Sequence, residues 1–144
     1  MAIEFQHGID VGAPPERVFA LLDDLAQTPR WLARCTGIEK LTPGENAVGT
    51  ELRYAYRDGR RRGTMLGRIT ARTPAAHLAF HYGDRMMDVS VDFRMGGNGA
   101  GTHLVHTIGI TPRNFFARLF SPLIRRALPA QTIGAMEKLR SLLG

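Results

Sequence analysis

The stretch Leu52-Arg53-Tyr54-Ala55-Tyr56-Arg57-Asp58-Gly59-Arg60-Arg61-Arg62-Gly63-Thr64-Met65 decides the fold. Apolar and charged side chains alternate on both sides of Asp58-Gly59, a dipeptide suited to the positive φ of a tight hairpin turn. Folding the chain there sets Leu52, Tyr54 and Tyr56 opposite Met65, Gly63 and Arg61, with Arg53 and Arg57 on the reverse face. A slip of one residue would send every side chain to the wrong face, so agreement between successive hairpins tests the reading.

The faces agree outward from this hairpin. Around Pro74, Ile69 and Ala71 fall opposite Phe80 and Leu78; next, Tyr82 meets Met87, Phe80 meets Val89, and Leu78 meets Val91. Across the loop Gly96-Gly97-Asn98-Gly99-Ala100-Gly101, Phe93 meets Leu104 and Val91 meets His106. Arg53, Arg57, Arg68, Arg72, His81, Asp88, Asp92 and Arg94 collect on the other side. One dry and one wet face predict an antiparallel sheet covered on a single side.

The flanks supply the cover. Ile3, Phe5, His7, Ile9 and Val11 alternate with polar residues, which predicts a first strand. Pro14 and Pro15 then open a helix carrying Val18, Phe19, Leu21 and Leu22, and a second short helical piece holds Leu25, Trp31 and Leu32. Beyond Pro112, Phe116, Phe120 and Ile124, then Ile133, Met136, Leu139 and Leu143, recur at helical spacing. Pro122 and Pro129 predict a break or kink between 121 and 129, although Ser121-Pro122 could equally restart a helix.

At 144 residues the chain has room for one domain, residues 1–144, burying about 70% of its unfolded surface. The net charge of +6 rests on 17 arginines and two lysines, scattered except for Arg60-Arg61-Arg62 and Arg125-Arg126. No aromatic-basic motif accompanies them, so they read as a solvated surface and nucleic acid is not expected as a partner. Cys35 is the sole cysteine, which suits a reducing compartment and a small buried hydrophobe. Neither a leader-like start nor an apolar run of about 18 residues is visible, and a cytoplasmic location is expected. Metal-ligand spacings and cofactor motifs are lacking, so neither group is expected.

Ile9-Asp10-Val11-Gly12-Ala13-Pro14-Pro15-Glu16-Arg17-Val18-Phe19-Ala20-Leu21-Leu22-Asp23-Asp24, Trp31, Val48-Gly49-Thr50, the Gly101-Thr102 opening of the last strand and the leucine-rich terminal helix resemble the START-like (SRPBCC) superfamily. That superfamily includes polyketide cyclases/dehydrases and lipid-transport domains, and the resemblance covers nearly the whole chain. It implies an α+β helix-grip fold: a seven-stranded curved antiparallel sheet wrapped around a long C-terminal helix, with two short helices after strand 1. It also implies a hydrophobic ligand between sheet and helix, and pairing of the first and last strands. With Ile3 near Thr111, that pairing sets His7 across from His106.

The expected ligand wall follows from the dry face. Tyr54, Tyr56, Met65, Gly67 and Ile69 come from the first hairpin, and Phe80, Tyr82, Val89, Val91, Phe93 and Ile108 from the following strands. Trp31, Phe120 and Ile124 approach from the helices. Gly63 and Gly67 stand where valine or isoleucine would be usual, leaving volume for a ligand or marking a bulge. His7 and His106, on the inward phase of their strands, are the candidate acid-base pair for cyclase- or dehydratase-type chemistry. The same pair, hydrogen-bonded within the core, would only orient polar atoms of a ligand in a non-catalytic lipid or hydrophobic-ligand carrier or sensor.

Phe115-Phe116-Ala117-Arg118-Leu119-Phe120 with Arg125-Arg126 reads first as a core stripe with solvated arginines. A membrane-touching patch is the second reading, and it requires the phenylalanines to be exposed.

Overall fold

A computed structural model describes residues 3–144; Met1 and Ala2 lie outside the described residues. In chain order the elements are β1 (Ile3–Val11), α1 (Pro15–Asp23), a single 3-10 turn (Leu25–Gln27), α2 (Thr28–Trp31), β2 (Cys35–Lys40), β3 (Glu51–Asp58), β4 (Arg61–Thr73), β5 (His77–Gly83), β6 (Met87–Asn98), β7 (Gly101–Pro112), α3 (Phe115–Leu119) and α4 (Ser121–Leu143). The strands form one antiparallel seven-stranded sheet in the order β1-β7-β6-β5-β4-β3-β2. Only β1 leaves its sequence neighbour, pairing with β7 at the sheet's edge.

The predicted faces hold while three hairpin registers shift by two residues. Leu52 lies opposite Gly67, Tyr54 opposite Met65 and Tyr56 opposite Gly63, because the turn centres on Gly59-Arg60, with Gly59 at φ 64°, rather than on Asp58-Gly59. Likewise Tyr82 pairs with Val89, Phe80 with Val91 and Leu78 with Phe93, and across the last turn Phe93 pairs with His106 and Val91 with Ile108. A shift of two conserves facing, since side chains alternate with period two. Between β1 and β7, His7 pairs with His106 as expected, and Ile3 pairs with Ile110 rather than Thr111.

A bulge between Ile69 and Ala71 moves Arg72 opposite Leu78 instead of Ala71. The extra residue turns Arg72 off the wet face to the side where α1 lies, with its guanidinium 5.3 Å from the Phe19 ring centre. There Nε and Nη2 donate to the two carboxylate oxygens of Asp23 at 3.0 and 2.8 Å, and Asn46 Nδ2 donates to Asp23 Oδ1 at 3.1 Å. Burial acts to raise the Asp23 pKa, but the Arg72 and Asn46 hydrogen bonds outweigh it and hold the group below its ordinary 3.8. Asp23→Asn is therefore expected to cost about 1.5–3 kcal/mol in denaturant titrations at neutral pH. The difference from the parent should fade as the pH falls below 3.8, because a depressed carboxylate contributes only while ionised.

Several residues that carried the family resemblance hold loops in place. Thr102 Oγ1, fully buried, donates to the carbonyl of Ala13 at 2.7 Å, and a Cβ at Gly101 would strike the Val11 carbonyl. Gly49, at φ 94°, donates to the Ile69 carbonyl, and Ile69 N returns a bond to Thr50. These ties dock the α1 entry and the β2–β3 loop on a core in which Leu52, Ile69, Leu78, Leu104, Met136 and Leu139 are fully buried.

The terminal segment divides at Phe120. Asn114 caps α3 by accepting from Ala117 N at 2.8 Å, and Pro122 sits in the first turn of α4, where its missing amide hydrogen is tolerated. Helix α4 starts at Ser121, as in the restart alternative, and continues through Pro129, so the interruption lies at Phe120, just before the expected 121–129 interval. The core-stripe reading of the phenylalanines is overturned: Phe115, Phe116 and Phe120 are 69%, 64% and 51% exposed. Helix α3 is too short to turn more than Ala117 inward.

Candidate functional site

The sheet's apolar face does not close completely on the helices. Between them lies a cavity of about 640 Å3, within the size range of small-molecule sites. Its walls come from three sides: Trp31 and Leu32 at the end of α2, the inner face of β3 to β7, and Leu128, Thr132 and Ala135 on α4. The helix contributes small or short side chains at three- or four-residue spacing, which leaves the space beneath it unfilled.

Most of the expected wall is there. Tyr54, Tyr56, Met65, Phe80 and Tyr82 line one half, and Val89, Val91, Phe93, His106 and Ile108 the other, with Trp31 across from them. Tyr54 and Tyr82 rings approach to 4.9 Å, and Phe80 stacks on Tyr82 at 5.9 Å, which makes a continuous aromatic surface. Five expected residues fall elsewhere. Ile69 is fully buried in the core beneath the wall, Phe120 is exposed, and Ile124 packs with Ile3, Ile110 and Leu128.

Gly67 does not open volume for a ligand, since a Cβ there would meet the His81 carbonyl and the Tyr82 ring. Gly63 is filled in the same manner, its Cβ position lying 2.5 Å from Tyr56 Oη. The fifth is His7, half-buried and stacked on Phe5 at 6.3 Å, outside the cavity lining although paired in register with His106.

Phe93 organises the polar spot. His106 stacks on it at 4.5 Å with planes 10° apart, and Trp31 meets it edge-on at 5.9 Å. Both ring nitrogens of His106, Trp31 Nε1 and Arg34 Nε are buried without a hydrogen-bond partner in the protein. Burial, with a smaller electrostatic contribution from neighbouring His7, pushes the His106 pKa down to about 4, so the ring is neutral at pH 7. A neutral imidazole offers one donor and one acceptor, and the indole and guanidinium nitrogens add donors.

Burial pushes the Cys35 thiol up to about 11, so it is not a thiolate nucleophile near neutrality, and it also raises the Tyr54 and Tyr82 hydroxyls. Among the described residues no group of three or more His, Cys, Asp or Glu could hold a metal ion. His77, His81 and His103, on the far side of the sheet, face Asp92, Asp88 and Asp10.

Sequence reasoning missed the polar end of the cavity. Arg34 reaches Gln131 Oε1 at 3.0 Å and Asp58 Oδ2 at 3.4 Å, so it bridges the α2–β2 loop to α4 and to the end of β3. Arg30, Arg61 and Lys138 also line the cavity. The available signal was the spacing Leu128, Gln131, Thr132, Ala135, Lys138 on one face of α4.

A sheet gripping a long C-terminal helix around an apolar cavity defines the START-like, helix-grip class. Solved structures agree. The Zhui aromatase/cyclase from Streptomyces sp. R1128 superposes with a TM-score of 0.82 at 16% identity, covering 99% of this chain and 94% of that one. A START superfamily protein from Mycobacterium smegmatis gives 0.81 at 12% identity over 97% and 96% of the two chains. Ara h 8.0201 gives 0.74 at 12% identity over 99% and 98%. No curated protein matches the sequence. A family model described as polyketide cyclase/dehydrase and lipid transport matches residues 2–144, and the chain belongs to that family. Membership and cavity together support binding of a hydrophobic ligand. No helix among the described residues is long and apolar enough to cross a membrane.

Proposed function

We propose that residues 1–144 act as one ligand-binding domain for a small, mostly apolar, aromatic or polyketide-like molecule bearing at least one carbonyl or hydroxyl oxygen. The observation that carries this reading is a cavity of about 640 Å3 whose walls are mostly aromatic and aliphatic side chains, with His106 and Trp31 among them and charged groups gathered around Arg34. The nitrogens of His106 and Trp31 are buried without a partner, at about 1–3 kcal/mol each, and a ligand oxygen that reached them on binding would offset that cost. The aromatic wall of Tyr54, Phe80 and Tyr82 suits a flat ring system.

Native mass spectrometry of the purified protein tests it: an aromatic or oxygenated apolar molecule should be released on denaturation, or taken up when supplied. Protein that stays empty after several expression hosts, and ignores supplied aromatics, contradicts the reading.

The likeness to an aromatase/cyclase favours a second reading, cyclisation or dehydration with His106 as the acid-base group. With a pKa of about 4, His106 is a weak base, and His7 stands outside the lining, so orientation of the ligand is better supported than proton transfer. Turnover of a supplied polyketide-type substrate that disappears in His106→Ala would establish catalysis; binding without turnover would leave the carrier.

A further inference from the structure

Nine large hydrophobic side chains are exposed among the described residues, and five of them, Phe115, Phe116, Leu119, Phe120 and Leu123, fall within residues 115–123 at 51–69% exposure. Leu41, Val48 and Leu66 are far from this cluster in sequence, and Ile133 lies further along α4. A cluster of this kind on a folded surface marks an interaction site more often than chance.

The exposure is held in place by polar ties. Asn114 caps α3 and its Nδ2 donates to the Arg85 carbonyl at 3.1 Å; Arg113 donates through its side chain to the Asp84 carbonyl and through its amide to that of Met86, both at 2.8 Å. At the other end Ser121 Oγ donates to the Ala117 carbonyl at 3.2 Å. The backbone is thus pinned to the β5–β6 turn while the phenylalanines and leucines face away from the core.

Charge selects the occupant. Arg113, Arg118, Arg125 and Arg126 flank the cluster, and no acidic residue occurs between Asp92 and Glu137. From the start of β6, Asp88 faces Arg113 at 3.8 Å, and the adjoining β5–β6 turn holds both Asp84 and the cation Arg85. A symmetric pair of copies joined through this patch would set arginines against arginines. An anionic lipid surface instead accepts aromatic and leucine side chains below its headgroups and arginines at them.

We propose that α3 and the first turn of α4 form a peripheral docking face for anionic lipid surfaces. The proposal stands independently of the ligand reading. Sedimentation with vesicles of phosphatidylglycerol and phosphatidylcholine in equal parts, against phosphatidylcholine alone, tests it. The protein should sediment with the anionic vesicles, release with added salt, and bind on the order of tenfold more weakly as Phe116→Glu or Leu119→Glu. Arg118→Gln with Arg126→Gln should also weaken binding, with thermal unfolding unchanged in every variant because the side chains are exposed. The proposal is overturned by failure of the parent protein to bind anionic vesicles, or by equal binding of the glutamate variants. Concentration-dependent dimerisation abolished by Phe116→Glu, seen in sedimentation velocity, would assign the patch to a second copy and overturn it as well.

Discussion

Replacing Phe93 by alanine is expected to lower the unfolding free energy by about 3–5 kcal/mol, the range for removing a large buried aromatic. Phe93 is 2% exposed and lies between Trp31 and His106, so its loss removes both ring contacts and joins a new void to the existing cavity. Denaturant titration at pH 7 checks the magnitude. A loss below about 1 kcal/mol would mean that the site relaxes around the missing ring and that the Trp31–Phe93–His106 row is not a structural unit. Phe116→Ala, on the exposed face, should by contrast fall within about 0.5 kcal/mol of the parent.

The second large effect is a pH dependence from His106. In the unfolded chain this residue titrates near 6.5, and in the folded protein at about 4. Between those values the unfolded state binds more protons, so its contribution is complete above pH 6.5 and is lost as the pH falls toward 4. The loss should amount to on the order of 3 kcal/mol. His106→Phe keeps a ring against Phe93 and removes this titration, so its stability should fall by less than the parent's between pH 6.5 and 4. At neutral pH the variant should be at least as stable as the parent, since two unpartnered buried nitrogens are removed. Denaturant titrations of both proteins from pH 4 to 7 decide the matter, and parallel curves would contradict a buried, neutral His106.

These effects rest on features that differ in how plainly the sequence displays them. Facing was legible because alternation survives a two-residue register shift: Tyr54, Phe80, Val91 and His106 share the apolar face whether or not their partners were correctly named. Turn centres were not legible, because the Gly59 and Gly99 turns each admit neighbouring positions for the two central residues. The bulge after Ile69 left no sequence signal, and it alone converts Arg72 from a solvated arginine to the partner of Asp23.

At the site, pairing of His7 with His106 could be worked out from the strand ends, but strand phase alone does not say which inward residue a helix covers. His7 fell outside the cavity for that reason, and Ile124 because its turn of α4 packs on Ile3, Ile110 and Leu128. At Gly63 and Gly67 a missing side chain does not mean room for a ligand, because Tyr56 and Tyr82 occupy that space. The Phe115–Phe120 stretch misled because helical spacing predicts burial only when the helix is long enough to lie on the core.

The most direct test of the account is a fluorescence titration of Trp31, the only tryptophan, with 2-naphthol and with naphthalene. A cavity whose apolar walls carry an oxygen-seeking His106 and Trp31 should bind the naphthol on the order of tenfold more tightly, and His106→Phe should reduce that preference. Equal affinity for the two compounds in the parent protein, or no change in Trp31 emission with either, would contradict it.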